Sequence, residues 1–218
     1  MPTEDLIARI AASAEPVQRL RPPLPRTLLW FALSLPWVAA VVLIMGVRPD
    51  IGERLHDTRW LIEQGAILMT AAMSAMAAFC AGIPGRPRSE LLIPLVPLVV
   101  WMALLGEGCV RSWLSVGGLT LQADWMCLPA IAMIGFGPAA VAAAMIVRGA
   151  PLAPVATTAL GALAAGGFAA FGLRLFHLQD ASLMVLVWQA GTVFGLVLLA
   201  GLGGPFLLRW KRPDQAPR

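Results

Sequence analysis

The feature that most constrains this chain is the recurrence of apolar runs about 20 residues long. Coiled as a helix, such a run is long enough to cross a hydrocarbon core of about 30 Å. Several of these runs in one chain indicate a protein that crosses the membrane repeatedly. Six runs can be drawn, at Thr27–Val47, Trp60–Ile83, Leu91–Leu105, Trp125–Val147, Val155–Phe176 and Leu183–Leu207. The sequence therefore predicts an all-α membrane protein, a bundle of six transmembrane helices.

The composition supports this fold class and argues against a soluble domain. Hydrophobic residues make up 59% of the chain and charged residues only 13%, whereas roughly a quarter of a soluble domain is charged. The net charge of +4 and the pI of about 9.8 do not indicate nucleic-acid binding. The basic residues lie in short connecting segments, where they usually set membrane topology. We therefore expect no direct contact with nucleic acid.

The distribution of Lys and Arg predicts how the chain is oriented. Eleven of these residues lie on the side that carries both termini, and five lie on the other side. Because basic residues are enriched in cytoplasmic segments, both termini should be cytoplasmic. The first run is too long for a cleaved signal peptide and should remain as an anchor. We divide the chain into a cytoplasmic segment 1–26, a membrane domain 27–207 and a cytoplasmic tail 208–218.

Tryptophans are expected at both membrane surfaces, since indole rings are enriched at the headgroup level. Trp30 and Trp210 are predicted at the inner surface, and Trp60 and Trp125 at the outer one. This arrangement would form an aromatic belt around the bundle.

The N-terminal segment is the one sizeable polar stretch outside the runs, and it predicts a short amphipathic helix. Thr3 is a suitable N-cap, followed by Glu4 and Asp5 in the first turn. The apolar residues repeat at helical spacing: Leu6, Ile7, Ile10, Ala11 and Ala14. A helix of about three turns is marginal alone in water. Its apolar face therefore needs a partner, which can be the lipid bilayer, the membrane domain or another protein.

Ionisable residues are scarce inside the predicted spans, which argues against transport. Glu63 and Arg174 lie about one turn from the outer ends of their spans, where they can snorkel or pair. A small-solute transporter or permease subunit, the alternative function, would normally need charged or unwound sites near the midplane. A membrane-embedded enzyme is a third interpretation, but P-loop, GxSxG, HExxH and CxxC motifs are absent. We expect neither an enzyme nor a resident cofactor.

Small residues suggest close packing between spans. The pairs Gly191/Gly195 and Gly161/Ala165 follow the small-xxx-small pattern, which lets helices approach closely. We expect both pairs to pack within the bundle. The segment from about Gly106 to Asp124 is predicted to be the largest outer loop.

The cysteines suggest chemistry at the outer side. Cys80, near the inner end of the second span, is most simply a small buried residue. Cys109 and Cys127 are both predicted at the outer side, where an oxidising compartment would allow a disulfide. Cys127 could instead share a transition-metal ion with His177. Structural packing of Cys127 is the third possibility, and spacing alone does not decide among them.

Seven short stretches spread over the whole chain point to a known family. In order they are TEDLIARIAASAEPVQRLRPP, GVRPDI, RSWL, DWMCLP, RGAPL, LRLF and VWQ. Together they resemble the NrsF-type family, negative regulators of sigma F. The chain thus resembles six-span anti-sigma factors of the bacterial inner membrane. The resemblance implies a cytoplasmic N-terminal segment that holds an extracytoplasmic-function sigma factor inactive. It also implies outer-side cysteines that sense metal ions or oxidative stress.

Carried over by position, the resemblance assigns specific residues. The sigma-facing residues would be Asp5, Leu6, Ile7, Pro16, Val17 and Leu20, to which the apolar face adds Ile10. Cys127, within DWMCLP, would be a sensory thiol. The chain departs from the family where a second cysteine follows LRLF, because His177 stands there, and Gln189 replaces the family's histidine. Either Cys109 substitutes, or Cys127 and His177 bind a metal ion, or this sensing is lost.

Overall fold

The computed structural model describes residues 3–13, 20–83, 85–116, 127–149, 153–177 and 185–208. Within these ranges the chain is helical apart from its connecting turns. The helices are α1 Thr3–Ser13, α2 Pro23–Met45, α3 Ile51–Arg54, α4 Thr58–Ala81, α5 Leu95–Val116, α6 Cys127–Val147, α7 Pro154–Phe176 and α8 Gly191–Leu207. A 3-10 turn, Arg88–Leu92, precedes α5, and a π-helical turn, Val185–Ala190, leads into α8.

Within the described ranges, six helices are long and apolar enough to cross a membrane, as the sequence predicted: α2, α4, α5 with its preceding turn, α6, α7 and α8. The predicted end of the third span at Leu105 was wrong, because α5 continues to Val116. Glu107 and Arg111 therefore lie on the helix and form an i,i+4 ion pair at 2.6 Å. This pairing stabilises the last helical turns, so the predicted outer loop is shorter than expected.

Helix α7 is the centre of the bundle. It packs against α4, α6 and α8, and also against α2. In α7, 67% of the most apolar stretch is buried, against 22–28% of the corresponding stretches of α2, α5 and α8. Glycines allow this close approach: a methyl group at Gly167 would lie 2.9 Å from the Cβ of Ala71 on α4. Small residues on α7 therefore determine how tightly the other helices pack.

The two predicted small-residue pairs behave differently. Gly161 faces α6, because a methyl group there would lie 3.1 Å from Ile146 Cδ1, and Ala165 lies beside Gly135 of the same helix. The packing prediction for this pair is confirmed. A methyl group at either Gly191 or Gly195 would meet no atom within 4 Å. The prediction for that pair was wrong, since its glycines lie on a face of α8 with open space beside them.

We call the end of the bundle at which α2 begins the N-side end, and the end at which α2 finishes the far end. Trp30, expected at the membrane surface, is instead fully buried near the N-side end, and its indole N–H donates to the carbonyl of Pro138 at 3.0 Å. Trp60 is also buried, with 4% of its surface exposed. Both predictions were wrong, because an indole ring gains more contact inside the bundle than at its surface. Trp125 and Trp210 lie outside the described residues.

Candidate functional site

The predicted partner-binding helix forms, and its apolar face is exposed. Leu6 and Ile7 expose 46% and 57% of their surface, and every described side chain of α1 is exposed. Asp5 and Arg9 lie on the opposite face by helical spacing. Ile10 lies within α1 on the same face as Leu6, but its side chain is outside the described residues. Helix α1 thus presents aliphatic side chains that the chain itself leaves uncovered.

The segment after α1 approaches the end of α6. Pro16 and Val17 lie outside the described residues. Leu20 is 41% exposed, and its Cδ1 atom would lie 3.5 Å from a methyl group placed on Gly149. The last predicted sigma-facing residue therefore lies beside the turn that ends α6.

Arg26 fixes the start of α2 to the bundle. Its guanidinium donates to the carbonyl of Met145 at 2.9 Å and lies 4.4 Å from the ring centroid of Phe79. Only 6% of Arg26 is exposed, so its side chain packs into the bundle at the end that carries the N-terminus. A buried arginine stacked on an aromatic ring and hydrogen-bonded to a helix end is firmly placed. The segment that leads from α1 thus joins the bundle at a buried, hydrogen-bonded residue.

At the far end, Arg48 joins the α2–α3 connection to the C-terminus of α7. Its Nε and Nη2 atoms donate to the Asp50 carboxylate at 2.6 and 2.8 Å. Its backbone N–H donates to the Leu175 carbonyl at 3.0 Å, and its Nη1 to the His177 carbonyl at 3.3 Å. A cation is favourable at a helix C-terminus. The same guanidinium holds the pKa of the Asp50 carboxyl well below its usual range.

A second ion pair at the far end joins α4 to α7. Arg174 Nη2 lies 3.1 Å from Glu63 Oε2, and both side chains are buried. The prediction that these residues can pair near the same end of their spans is confirmed. Because each charge neutralises the other, the bundle can hold both inside an apolar environment. The pair thus ties α4 to the central helix.

The predicted sensory residues all belong to the far end. Cys109 carries a free, half-exposed thiol on α5. Cys127 begins α6, but its side chain lies outside the described residues. His177 follows the end of α7 and is half-buried. Among the described residues no group of three His, Cys, Asp or Glu side chains suits a metal ion. A Cys109–Cys127 disulfide and a Cys127–His177 metal site both stay predictions.

Sequence reasoning missed the buried role of Arg48, which it counted only as a base of an outer loop. Its side chain is 1% exposed. One signal was present: Arg48 stands two residues before Asp50, immediately after a span, in the stretch GVRPDI. A base and an acid so close to a helix end often pair. The carbonyl acceptors of Arg48 at the C-terminus of α7, however, are more than 120 residues away in the chain. Sequence spacing could not reveal them.

Comparison of the chain with known protein families identifies the family to which it belongs. The family described as NrsF, negative regulator of sigma F, matches residues 10–210. The chain belongs to the NrsF family. No curated protein and no solved structure matches the chain. This NrsF protein is therefore a negative regulator of a sigma factor, an anti-sigma factor whose partner is a sigma factor. The match begins at Ile10, so Asp5, Leu6 and Ile7 precede it.

Proposed function

We propose that this NrsF protein sequesters an extracytoplasmic-function sigma factor at the bacterial inner membrane, through α1 and the proline-containing segment that follows it. The observation that carries this proposal is the exposed aliphatic face of α1. Burying Leu6 and Ile7 against a partner would contribute about 1.5–3 kcal/mol each before ordering costs. An amphipathic helix placed in an apolar groove is a common mode of recognition.

The polar residues of the segment would set specificity rather than affinity. Asp5 and Arg9 lie away from the aliphatic face, where they can meet charges at the rim of a groove. The remaining proposed contacts continue the segment towards the membrane: Ile10, Pro16, Val17 and Leu20. A proline-containing connection is stiff, so it would hold the partner at a fixed distance from the bundle.

The proposed location follows from charge. The side with both termini carries eleven of the sixteen basic residues, which favours a cytoplasmic N-side end and a periplasmic far end. A sigma factor is cytoplasmic, so this orientation would place α1 in the same compartment as its partner.

The proposed release signal is a metal ion or an oxidant at the far end, acting on Cys127 together with Cys109 or His177. Helix α7 supports this coupling, since its C-terminus is bound by Arg48 and its length packs against the four neighbouring spans. A change at the far end would thus shift the packing of α2, which carries the segment that leads from α1.

Co-purification from detergent-solubilised native membranes tests the binding step. The intact protein should bring down a sigma factor, and a version lacking residues 2–21 should not. The double substitution Leu6→Asp with Ile7→Asp should also abolish recovery. The matched control is Ala8→Asp with Ala12→Asp, the same charge change on the opposite face of α1. Equal recovery with both double variants, at equal membrane levels, would refute binding through the aliphatic face.

The signal is tested separately in cells that report on the sigma factor. Cys127→Ser should abolish release by metal ions and oxidants. Cys80→Ser, a buried cysteine at the N-side end, is the matched control and should respond normally. A full response by the Cys127→Ser variant would remove this residue from the sensing mechanism.

A further inference from the structure

A groove at the N-side end lies between α6, α7 and α8. Its volume is about 340 Å³, within the roughly 300–1,000 Å³ range of pockets that hold small molecules. Small side chains make the room: Ala139, Ala143, Gly161, Ala162 and Ala200 line it, with Leu207 at one end. The lining is almost entirely apolar. The groove lies between membrane-spanning helices. Lipid hydrocarbon surrounds such helices and can therefore fill the groove.

Two exposed arginines lie close along the chain to the mouth of this groove. Arg148 directly follows Val147, which lines the groove. Arg21 directly follows Leu20, whose side chain lies beside Gly149. Both arginines are exposed, and neither forms an ion pair with a residue that the structure describes. These two positive charges, like that of the exposed Arg88, therefore lie at the N-side end without a protein counter-ion in the described ranges.

Other charges near this end do not neutralise these arginines. The Glu90 carboxylate accepts two hydrogen bonds from Arg86, both at 2.9 Å. Helix α6 ends at Val147 and α7 begins at Pro154, so a negative and a positive helix terminus lie near each other and largely offset. Within the described ranges, Arg21 and Arg148 therefore bring positive charge towards the mouth of the groove, and this charge favours an anion.

We propose that this groove holds an acyl chain of an anionic phospholipid, whose phosphate is bound by Arg148 and Arg21. The apolar lining fits the chain, and the two arginines fit the headgroup. A zwitterionic lipid would offer the same chain but a balancing positive charge. Each arginine near the headgroup should favour an anionic lipid by about fivefold, and both together by about thirtyfold. The proposal does not depend on how α1 binds its partner.

Native mass spectrometry of the full chain, released from mixed phosphatidylglycerol and phosphatidylcholine vesicles, tests this. Native protein should retain phosphatidylglycerol about thirtyfold more than phosphatidylcholine. Arg148→Gln with Arg21→Gln should remove this preference, while Arg88→Gln, an exposed arginine at the same end, should keep it. Ala143→Phe should fill the groove and reduce retention of both lipids. The matched control is Ala144→Phe, which changes an exposed neighbour outside the groove lining.

Several outcomes would overturn the proposal. Equal retention of the two lipids by the native protein would show that the arginines select nothing. Unchanged retention in the Ala143→Phe variant would place the lipid elsewhere. Glycerophosphoglycerol, the headgroup without acyl chains, should not compete at equal concentration, and full competition would indicate a phosphate site instead. If the native protein is a dimer and the Ala143→Phe variant is a monomer, the groove instead binds a second copy of the chain.

Discussion

The carboxylate of Glu63 and the guanidinium of Arg174 meet at 3.1 Å in the interior of the bundle, one on α4 and the other on the central helix α7. Their side chains expose 3% and 10% of their surface. Both side chains are too buried for water to solvate a charge whose partner is removed, so losing either residue should weaken the association of α4 with α7.

Glu63→Gln should therefore destabilise the protein strongly. It leaves the Arg174 charge buried without its counter-ion, which typically costs about 3–5 kcal/mol. The unfolding midpoint in detergent should fall clearly. Arg111→Ala is the control, because it removes an exposed pair with Glu107 that contributes at most about 1 kcal/mol. A midpoint for Glu63→Gln as high as that of Arg111→Ala would show that the buried pair adds no stability.

Two glycine substitutions should have opposite signs. Gly65→Ala meets nothing within 4 Å on α4, so the better helix propensity of alanine should stabilise the protein by up to about 1 kcal/mol. Gly167→Ala would place its methyl group 2.9 Å from Ala71 Cβ. The forced separation of α4 and α7 should destabilise by about 1–3 kcal/mol. Unfolding midpoints in detergent check both, and equal shifts would contradict the tight α4–α7 packing.

The ion pair of Arg48 and Asp50 makes stability depend on acid pH. The pKa of Asp50 in the folded protein is lowered below its ordinary value of about 3.9 by hydrogen bonds from Arg48. The carboxylate therefore contributes stability that is fully present above about pH 5 and is lost as the pH falls below 4. Asp50→Asn should be less stable than the native protein at pH 7, with the difference narrowing as the pH falls.

Thermal unfolding in detergent between pH 7 and pH 3 measures this effect. Arg48→Gln should flatten the same part of the pH profile, because it removes the group that lowers the pKa of Asp50. A native-like acid profile in either variant would show that another carboxylate is responsible.

The membrane fold could be predicted from the sequence because span length and hydropathy are local properties. The helix of the N-terminal segment could also be predicted, since the acids of the first turn and the aliphatic spacing lie within eleven residues. The predicted cap at Thr3 was wrong, because Thr3 is the first residue of the helix. The end of α5 could not be predicted, because charged residues normally mark the end of a membrane span. Glu107 and Arg111 instead pair along one helix face and keep the helix going.

The burial of the polar residues could not be predicted from the sequence, because their partners are far away along the chain. Arg26 is identical in type to the exposed arginines of the N-terminal tail, and its burial depends on Phe79 and Met145. Trp30 is buried because the carbonyl of Pro138, 108 residues away, accepts its N–H. Residue type predicts where a side chain can lie, whereas the packing of three or four helices decides where it does.

Thiol labelling tests the proposed orientation of the membrane domain. Cys109 is half-exposed on the far half of α5, whereas Cys80 is buried at the N-side end with 2% of its surface exposed. In a Cys127→Ser background, a membrane-impermeant maleimide added to intact spheroplasts should react with Cys109. Cys80 should react only after the protein is denatured, since it is buried and the Arg86 guanidinium donates a hydrogen bond to its thiol.

The single substitutions Cys109→Ser and Cys80→Ser, each in that background, assign the labelled site by mass. Labelling of Cys109 in intact spheroplasts would place the far end outside the cell, and so the N-side end with α1 in the cytoplasm. Labelling that requires permeabilised membranes would reverse the orientation. Helix α1 would then lie in a compartment that holds no sigma factor, and binding through its aliphatic face would have to be abandoned.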